Sequence, residues 1–302
     1  MVPRMALSKH GPDVSRIVHG LWRLAEWNKS KREIVALIHY CLAQGITTFD
    51  HADIYGDYTC EGGFGAALAE SGVDRSAIQI VTKCGIKLVS ANRPDHKIHC
   101  YDTSCSHIVA SVENSLRCLR TDYIDLLLIH RPDPLVDPRE VNEAFVRLRQ
   151  AGKVHYFGVS NFLPSQFEML ASKLDVPLVT NQMEYSVLNL DAHADGSIDL
   201  CQKLEMCPMA WSPLGGGRLF RDGSDRVRRL RETLTKIGRD LGGASPDQVA
   251  LAWILRHPAK FVPVLGTGNP SRIGKAVEAL NLELSTEQWF EIRRDALGRD
   301  VP

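Results

Sequence analysis

Asp50 closes the apolar run ITTFD (46–50), and Tyr55 follows five residues later. Lys83 closes IQIVTK (78–83) and His130 closes YIDLLLIH (123–130). Taken singly, each has a plain structural explanation: a turn cap, a packing aromatic, a solvated strand end, the start of a loop. Together they suit one chemistry. Reduction of a carbonyl by hydride transfer leaves an alkoxide that needs a proton, and a tyrosine hydroxyl can donate it, although its free pKa is about 10. A nearby lysine ammonium stabilises the phenolate and lowers that pKa. In this arrangement Asp50 balances and orients Lys83, and neutral His130 holds the substrate oxygen near Tyr55. No side chain carries a hydride, so a nicotinamide cofactor is implied.

These residues must be brought together by the elements that bear them. Eight apolar, β-rich runs cover 17–22, 46–50, 78–83, 123–130, 156–161, 178–184, 208–213 and 261–266. Several lack polar alternation, as parallel strands covered on both faces do. Between them lie amphipathic stretches at 31–44, 61–71, 106–120, 139–151, 164–172, 198–205, 225–241 and 272–280, with further helices expected at 246–257 and 285–297. Eight strands each followed by a helix predict a (β/α)8 TIM barrel, a single domain over 1–302 with extra C-terminal helices. A doubly wound open sheet is the alternative. In such a barrel the carboxyl ends of the strands share one mouth, where Asp50, Lys83, His130, Ser160-Asn161, Gln182, Glu184, Trp211-Ser212 and Gly266-Thr267-Gly268 would converge.

The 302 residues are 44% hydrophobic and 24% charged, with Lys+Arg and Asp+Glu both 36. Zero net charge gives no footprint for nucleic acid or a membrane surface. No apolar run approaches the roughly 20 residues that span a bilayer, and the start MVPRMALSKH has no signal-peptide core, which implies a cytoplasmic protein. The eight cysteines form no CxxC pair and read as reduced thiols.

The segments TFDHADIYG, IVTKCG, DYIDLLLIHRPDP, GKVHYFGVSNF, TNQMEYS and WSPLGGGRLF occur in the order and at the spacing of the aldo-keto reductases, and the chain resembles that family along nearly its whole length. The bacterial branch with YGDYTCEGGFG is the nearest likeness. The resemblance implies metal-free, NADPH-dependent reduction of aldehydes and ketones by a monomer, with cofactor bound before substrate. It maps the catalytic tetrad onto Asp50, Tyr55, Lys83 and His130. It places Ser160, Asn161 and Gln182 on the nicotinamide carboxamide and Trp211 on the ring, where the family often has tyrosine. Ser212, Leu214 and Gly216 begin the segment over the pyrophosphate, with Arg218 in reach as a cation. Gly20, Trp22 and Arg23 form the first strand–loop contact, with Trp22 facing substrate beside Tyr55 and His130. Many members carry a lysine where this chain has Gly266. Here Thr267, Gly268, Asn269 and Arg272 are left to hold the adenosine 2′-phosphate, which narrows the preference for NADP over NAD.

Three other patterns carry less. GGFGAALAE (62–70) lacks the last glycine and the preceding strand of a dinucleotide fingerprint, and GNPSRIGKA lacks the spacing and the hydroxyl residue of a phosphate loop. His96, His99, Cys100, Cys105 and His107 lie close in sequence, but their spacing matches no standard zinc site. A metal-dependent barrel hydrolase on His51, Asp53 and His130 lacks further histidines at the strand ends. A cofactor-holding regulatory module of the same fold, with little turnover, would keep the tetrad and remains the second reading.

Overall fold

Each of the eight apolar runs forms a parallel strand, and the eighth pairs back to the first. The computed structural model describes residues 1–300. The strands are β1 (Val18–Gly20), β2 (Thr48–Asp50), β3 (Gln79–Cys84), β4 (Ile124–Ile129), β5 (Val154–Ser160), β6 (Leu178–Glu184), β7 (Met209–Trp211) and β8 (Val262–Leu265). They close into a barrel through Val264 beside Val18 and Leu265 beside His19. Closure removes the open-sheet alternative.

The two-residue side-chain period decides what lies inside. Val81, Leu126, Leu128, Met209, Val262 and Val264 form the buried interior cluster. Two residues further along the same strands stand Lys83, His130 and Trp211, on the same face and one layer higher. Gly158 of β5 keeps this interior narrow: a Cβ there would lie 2.7 Å from the Leu128 side chain and 2.8 Å from the Thr180 carbonyl oxygen.

Outside the strands run α1 (Lys31–Ala43), α2 (Cys60–Ser71), α3 (Cys105–Leu119), α4 (Pro138–Gln150), α5 (Pro164–Ala171), α6 (Ser197–Lys203), α7 (Asp225–Asp240), α8 (Pro246–Leu255), α9 (Pro270–Glu278) and α10 (Thr286–Leu297). Their starts are chemically marked. Ser30 and Glu33 cap α1 reciprocally, and Ser245-Pro246 opens α8 with Gln248 returning to the Ser245 amide at 2.9 Å. One expectation is corrected. The stretch 225–241 was placed in the barrel layer and 246–257 outside it, but α8 packs on β8 while α7 pairs with α10 further out. Composition explains this. α8 is buried nearly all round, from Gln248 to Ile254, whereas α7 carries a single apolar stripe of Val227, Leu230, Leu234 and Ile237.

Two small hairpins were not anticipated. Arg4–Ala6 pairs antiparallel with Asp13–Ser15, and its Leu7 and Val14 join the interior cluster from the amino-terminal end of the barrel. The hairpin is fastened there by the Leu7 carbonyl oxygen, which accepts from the Cys207 amide at 2.6 Å, and by reciprocal Ser15–Thr48 hydrogen bonds. At the other end, Ile86–Lys87 pairs with Cys100–Tyr101 and anchors the long loop after β3. Among the described residues no helix is long and apolar enough to cross a membrane. All eight cysteines are free thiols.

Candidate active site

Lys83 is the centre of the mouth. Its Nζ donates to both carboxylate oxygens of Asp50, at 2.8 and 2.7 Å, to the His51 carbonyl oxygen at 2.7 Å and to the Tyr55 hydroxyl at 3.1 Å. Both charged partners are withdrawn from water, with Lys83 1% and Asp50 2% exposed. Burial alone would lower the Lys83 pKa, but Asp50 and Tyr55 outweigh it and hold the ammonium above its ordinary value. The lysine is therefore a fixed buried cation.

Tyr55 reaches this cation because the loop after β2 is zipped to β3. The amides of His51 and Asp53 donate to the carbonyl oxygens of Val81 and Lys83, and the Tyr55 amide closes a turn on Ala52. Five residues beyond Asp50, the phenol thus returns over the Asp50–Lys83 pair. Burial pushes the Tyr55 pKa up, and the opposing pull of Lys83 does not overcome it. Lys83 pulls the pKa down as its charge requires, and so limits the rise that burial imposes. His130 stands edge-on to Tyr55 with ring centroids 5.9 Å apart, its pKa well below the ordinary imidazole value because of burial, Lys83 and Arg131. It is neutral. The tetrad residues named from the sequence thus meet at one point.

Gln182 has a place that sequence spacing did not reveal. Its amide nitrogen donates to Asp50 Oδ1 at 2.8 Å, so it belongs to the Asp50–Lys83 network. Beside it, Trp211 Nε1 donates to Asn161 Oδ1 at 2.9 Å and Asn161 Nδ2 donates to Ser160 Oγ at 2.7 Å. Asn161 has φ 62°, and this left-handed turn swings its amide under the tryptophan. The Arg131 guanidinium lies 5.7 Å from the Trp211 ring centroid. Trp22 is 51% exposed at the rim, with its ring 6.4 Å from that of Tyr55.

The segment after β7 bends through positive φ at Ser212, Gly215, Gly216 and Gly217, a path that glycine takes without penalty. Arg23 and Arg221 both donate to the Gly216 carbonyl oxygen, at 3.2 and 2.8 Å, while Leu214 packs inward. Arg218 donates to the Gly215 carbonyl oxygen at 3.1 Å and pairs with Glu184 at 3.2 Å. After β8, Gly266 faces open space, Thr267 Oγ1 accepts from the Asn269 amide, and Arg272 is exposed on the first turn of α9. Gly268 lies flat on Trp27: a Cβ there would sit 2.6 Å from the indole. Gly20 is required by strand packing, since its Cβ would meet the Leu265 carbonyl oxygen at 2.8 Å.

The remaining candidates disperse. His51 packs edge-on against Phe64 with both ring nitrogens unpartnered, and burial, with Lys83 and His19, lowers its pKa to about 3. Cys105 is buried in the first turn of α3, His99 pairs with Tyr101, and His96 contacts Tyr58 and the Leu88 carbonyl oxygen. Among the described residues no three His, Cys, Asp or Glu side chains are grouped to hold a metal ion. One pair was missed. Asp53 and Glu61 are both buried with raised pKa values, Asp53 by burial and then Glu61, Glu61 by burial against its bond to Thr82.

Fold and site together define a (β/α)8 barrel with a buried, charge-balanced acid–base cluster at its carboxyl-terminal mouth. The chain belongs to the aldo/keto reductase family, whose model matches residues 16–295. It is 54% identical to the uncharacterized oxidoreductase YcsN of Bacillus subtilis over 95% of this chain and 96% of the relative. It is 46% identical to a 6-dehydroglucose reductase of Agrobacterium fabrum over 99% of each. Among solved structures, the thermostable aldo-keto reductase Tm1743 superposes with a TM-score of 0.83 at 27% identity, covering 97% of this chain and 99% of that one.

Proposed function

We propose that this protein is an NADPH-dependent carbonyl reductase in which Tyr55 is the general acid. Family membership supports carbonyl reduction by an oxidoreductase. The observation that carries the finer reading is the buried Lys83, bound at once to Asp50 and to the Tyr55 hydroxyl. Reduced nicotinamide, when bound, supplies the hydride. The protein's part is electrostatic and positional. Neutral His130 donates to the carbonyl oxygen and aligns it with Tyr55. As negative charge develops on that oxygen, the Tyr55 proton moves to it, and Lys83 stabilises the phenolate left behind. Asp50 and Gln182 keep Lys83 on station.

Ser160, Asn161 and Trp211 already form one hydrogen-bonded platform and suit the carboxamide and ring of nicotinamide. The left-handed glycine path at 215–217 lets backbone approach a pyrophosphate closely. Open space at Gly266 beside the exposed Arg272 suits a 2′-phosphate. The Agrobacterium relative is named for a sugar aldehyde, so hydroxylated aldehydes head the substrate panel. The test is Tyr55→Phe. Its kcat should fall about 10²–10⁴-fold, as expected for a lost general acid, while NADPH binding followed by nicotinamide fluorescence is unchanged. A variant that kept more than about a tenth of the rate would overturn the assignment.

A further inference from the structure

Outside the mouth, on the far side of the loop that carries Tyr55, lies a cavity of about 310 Å³. Its walls come from three segments. Asp53 and Tyr58 belong to the loop after β2, Arg93 and His96 to the loop after β3, and His107, Ser111, Asn114 and Arg117 to one face of α3. The α3 positions recur every three to four residues, so they present their heads to the same side.

The polar heads are mostly donors, and each guanidinium makes one side-chain hydrogen bond, which leaves further N–H groups for a ligand. Arg93 stacks over the Tyr58 ring at 4.5 Å and donates to the Asn92 carbonyl oxygen, and Arg117 reaches Asn114 Oδ1 at 3.4 Å. Among the described residues neither guanidinium has a carboxylate within ion-pair distance, whereas Lys87 nearby is paired with Asp102 at 3.4 Å. His107 is 3.4 Å from Ser111 and 3.8 Å from Asp102. The one carboxyl in the wall, Asp53, is buried with its Oδ1 unpartnered, which leaves an acceptor for a ligand hydroxyl, and burial and Glu61 hold its pKa above the ordinary carboxylate value. A volume at the small end of ligand pockets admits a compact molecule and excludes a dinucleotide.

We propose that this cavity is a second small-molecule site, which takes a compact oxyanion carrying a neighbouring hydroxyl, the chemistry shared by phosphate esters and hydroxycarboxylates. Arg93 and Arg117 grip the oxyanion from opposite walls, with Asn114 and His107 as further donors. The floor lies against a turn in which Gly56, Asp57 and Tyr58 all have positive φ, directly after the residue at the catalytic point. An occupant that holds Tyr58 and Arg93 therefore braces that turn.

The test is calorimetric titration of the NADPH-saturated protein with glycerol phosphate and with tartrate in separate arms, the cavity variants separating this site from the substrate position at Tyr55 and His130. At about 0.1 M salt at least one should bind with Kd below about 5 mM. Arg93→Gln and Arg117→Gln should each weaken it about tenfold or more, with near-UV circular dichroism unchanged. If Arg93→Gln fails to fold, Asn114→Leu on α3 takes its place. The arm that binds identifies the phosphate or carboxylate source. Absence of heat in both arms up to about 20 mM, or unweakened binding in either folded variant, overturns the proposal.

Discussion

At the residue scale, Lys83 is what an apolar strand ending on a cation requires. Without Asp50 it would be an unpaired buried charge, a far larger cost than the pair. The cluster was legible because Asp50, Lys83 and His130 end predictable strands and Tyr55 follows the first of these at five residues. Gln182 was legible as a strand-end amide and, by resemblance, as a carboxamide contact; nothing in sequence links position 182 to position 50, since that contact crosses the closed barrel. Arg272 extends the same reading to the cofactor. Arg272→Leu should raise the KM for NADPH about tenfold or more through the lost charge-assisted phosphate contact and leave that for NADH nearly unchanged, as measured by steady-state kinetics with both. Equal effects on both cofactors would remove the 2′-phosphate role.

Buried imidazoles make the fold sensitive to acid. His51 falls to about 3 and His19 to about 4, against 6.5 when exposed. Both are neutral in either state above pH 6.5, so they take nothing from stability there. Below it the unfolded chain binds protons that the folded chain refuses, and stability is lost as pH falls toward the folded values. Asp53 and Glu61, raised in the fold, act oppositely, with a contribution fullest at low pH and lost as pH rises. His51→Leu should therefore recover about 2–3 kcal/mol of the loss between neutral pH and pH 4, read from urea midpoints at each pH. An unchanged pH profile would show that His51 binds its proton equally well in the folded and unfolded chain.

At the element scale, the close approach of α2 and α3 depends on one absent side chain. A Cβ on Gly65 would lie 2.2 Å from the Cys118 carbonyl oxygen and 2.6 Å from Leu119 backbone. Backbone cannot swing aside as a side chain can, so Gly65→Ala should cost about 3 kcal/mol or more despite its better helix propensity. Urea denaturation at pH 7 checks this, and an unchanged midpoint would mean that the helices separate freely. The sequence run GGFGAALAE marked small packing residues here without showing which glycine is in contact. The roles of α7 and α8 were similarly hidden. Both read as helices, and only the all-round burial of α8 distinguishes the inner one.

At the scale of the whole molecule, eight apolar runs were enough to predict the barrel, since hydrophobic continuity reports burial on both faces. The floor was not predictable: strands of three residues such as Arg4–Ala6 and Asp13–Ser15 are too short to show a period. Yet they carry Leu7 and Val14, fully buried against the barrel interior. Deleting residues 1–12 should uncover that interior at its narrow end. We expect a lower thermal midpoint and binding of the dye ANS by the truncated protein. A truncated chain with the full midpoint and no dye binding would make the hairpin an ornament.

Closure of β8 on β1 also has a consequence for biosynthesis. β1 lies near the start of the chain and β8 near residue 265, so the seam joins the first barrel strand translated to the last. At roughly 5–20 residues per second, the ribosome keeps those partners apart for on the order of tens of seconds. During that interval β1 has a bare edge able to pair with a stranger. Until the final strand emerges, a nascent chain therefore lacks the partner that closes its barrel, and crowded polysomes are where edge-to-edge pairing between copies has its longest opportunity.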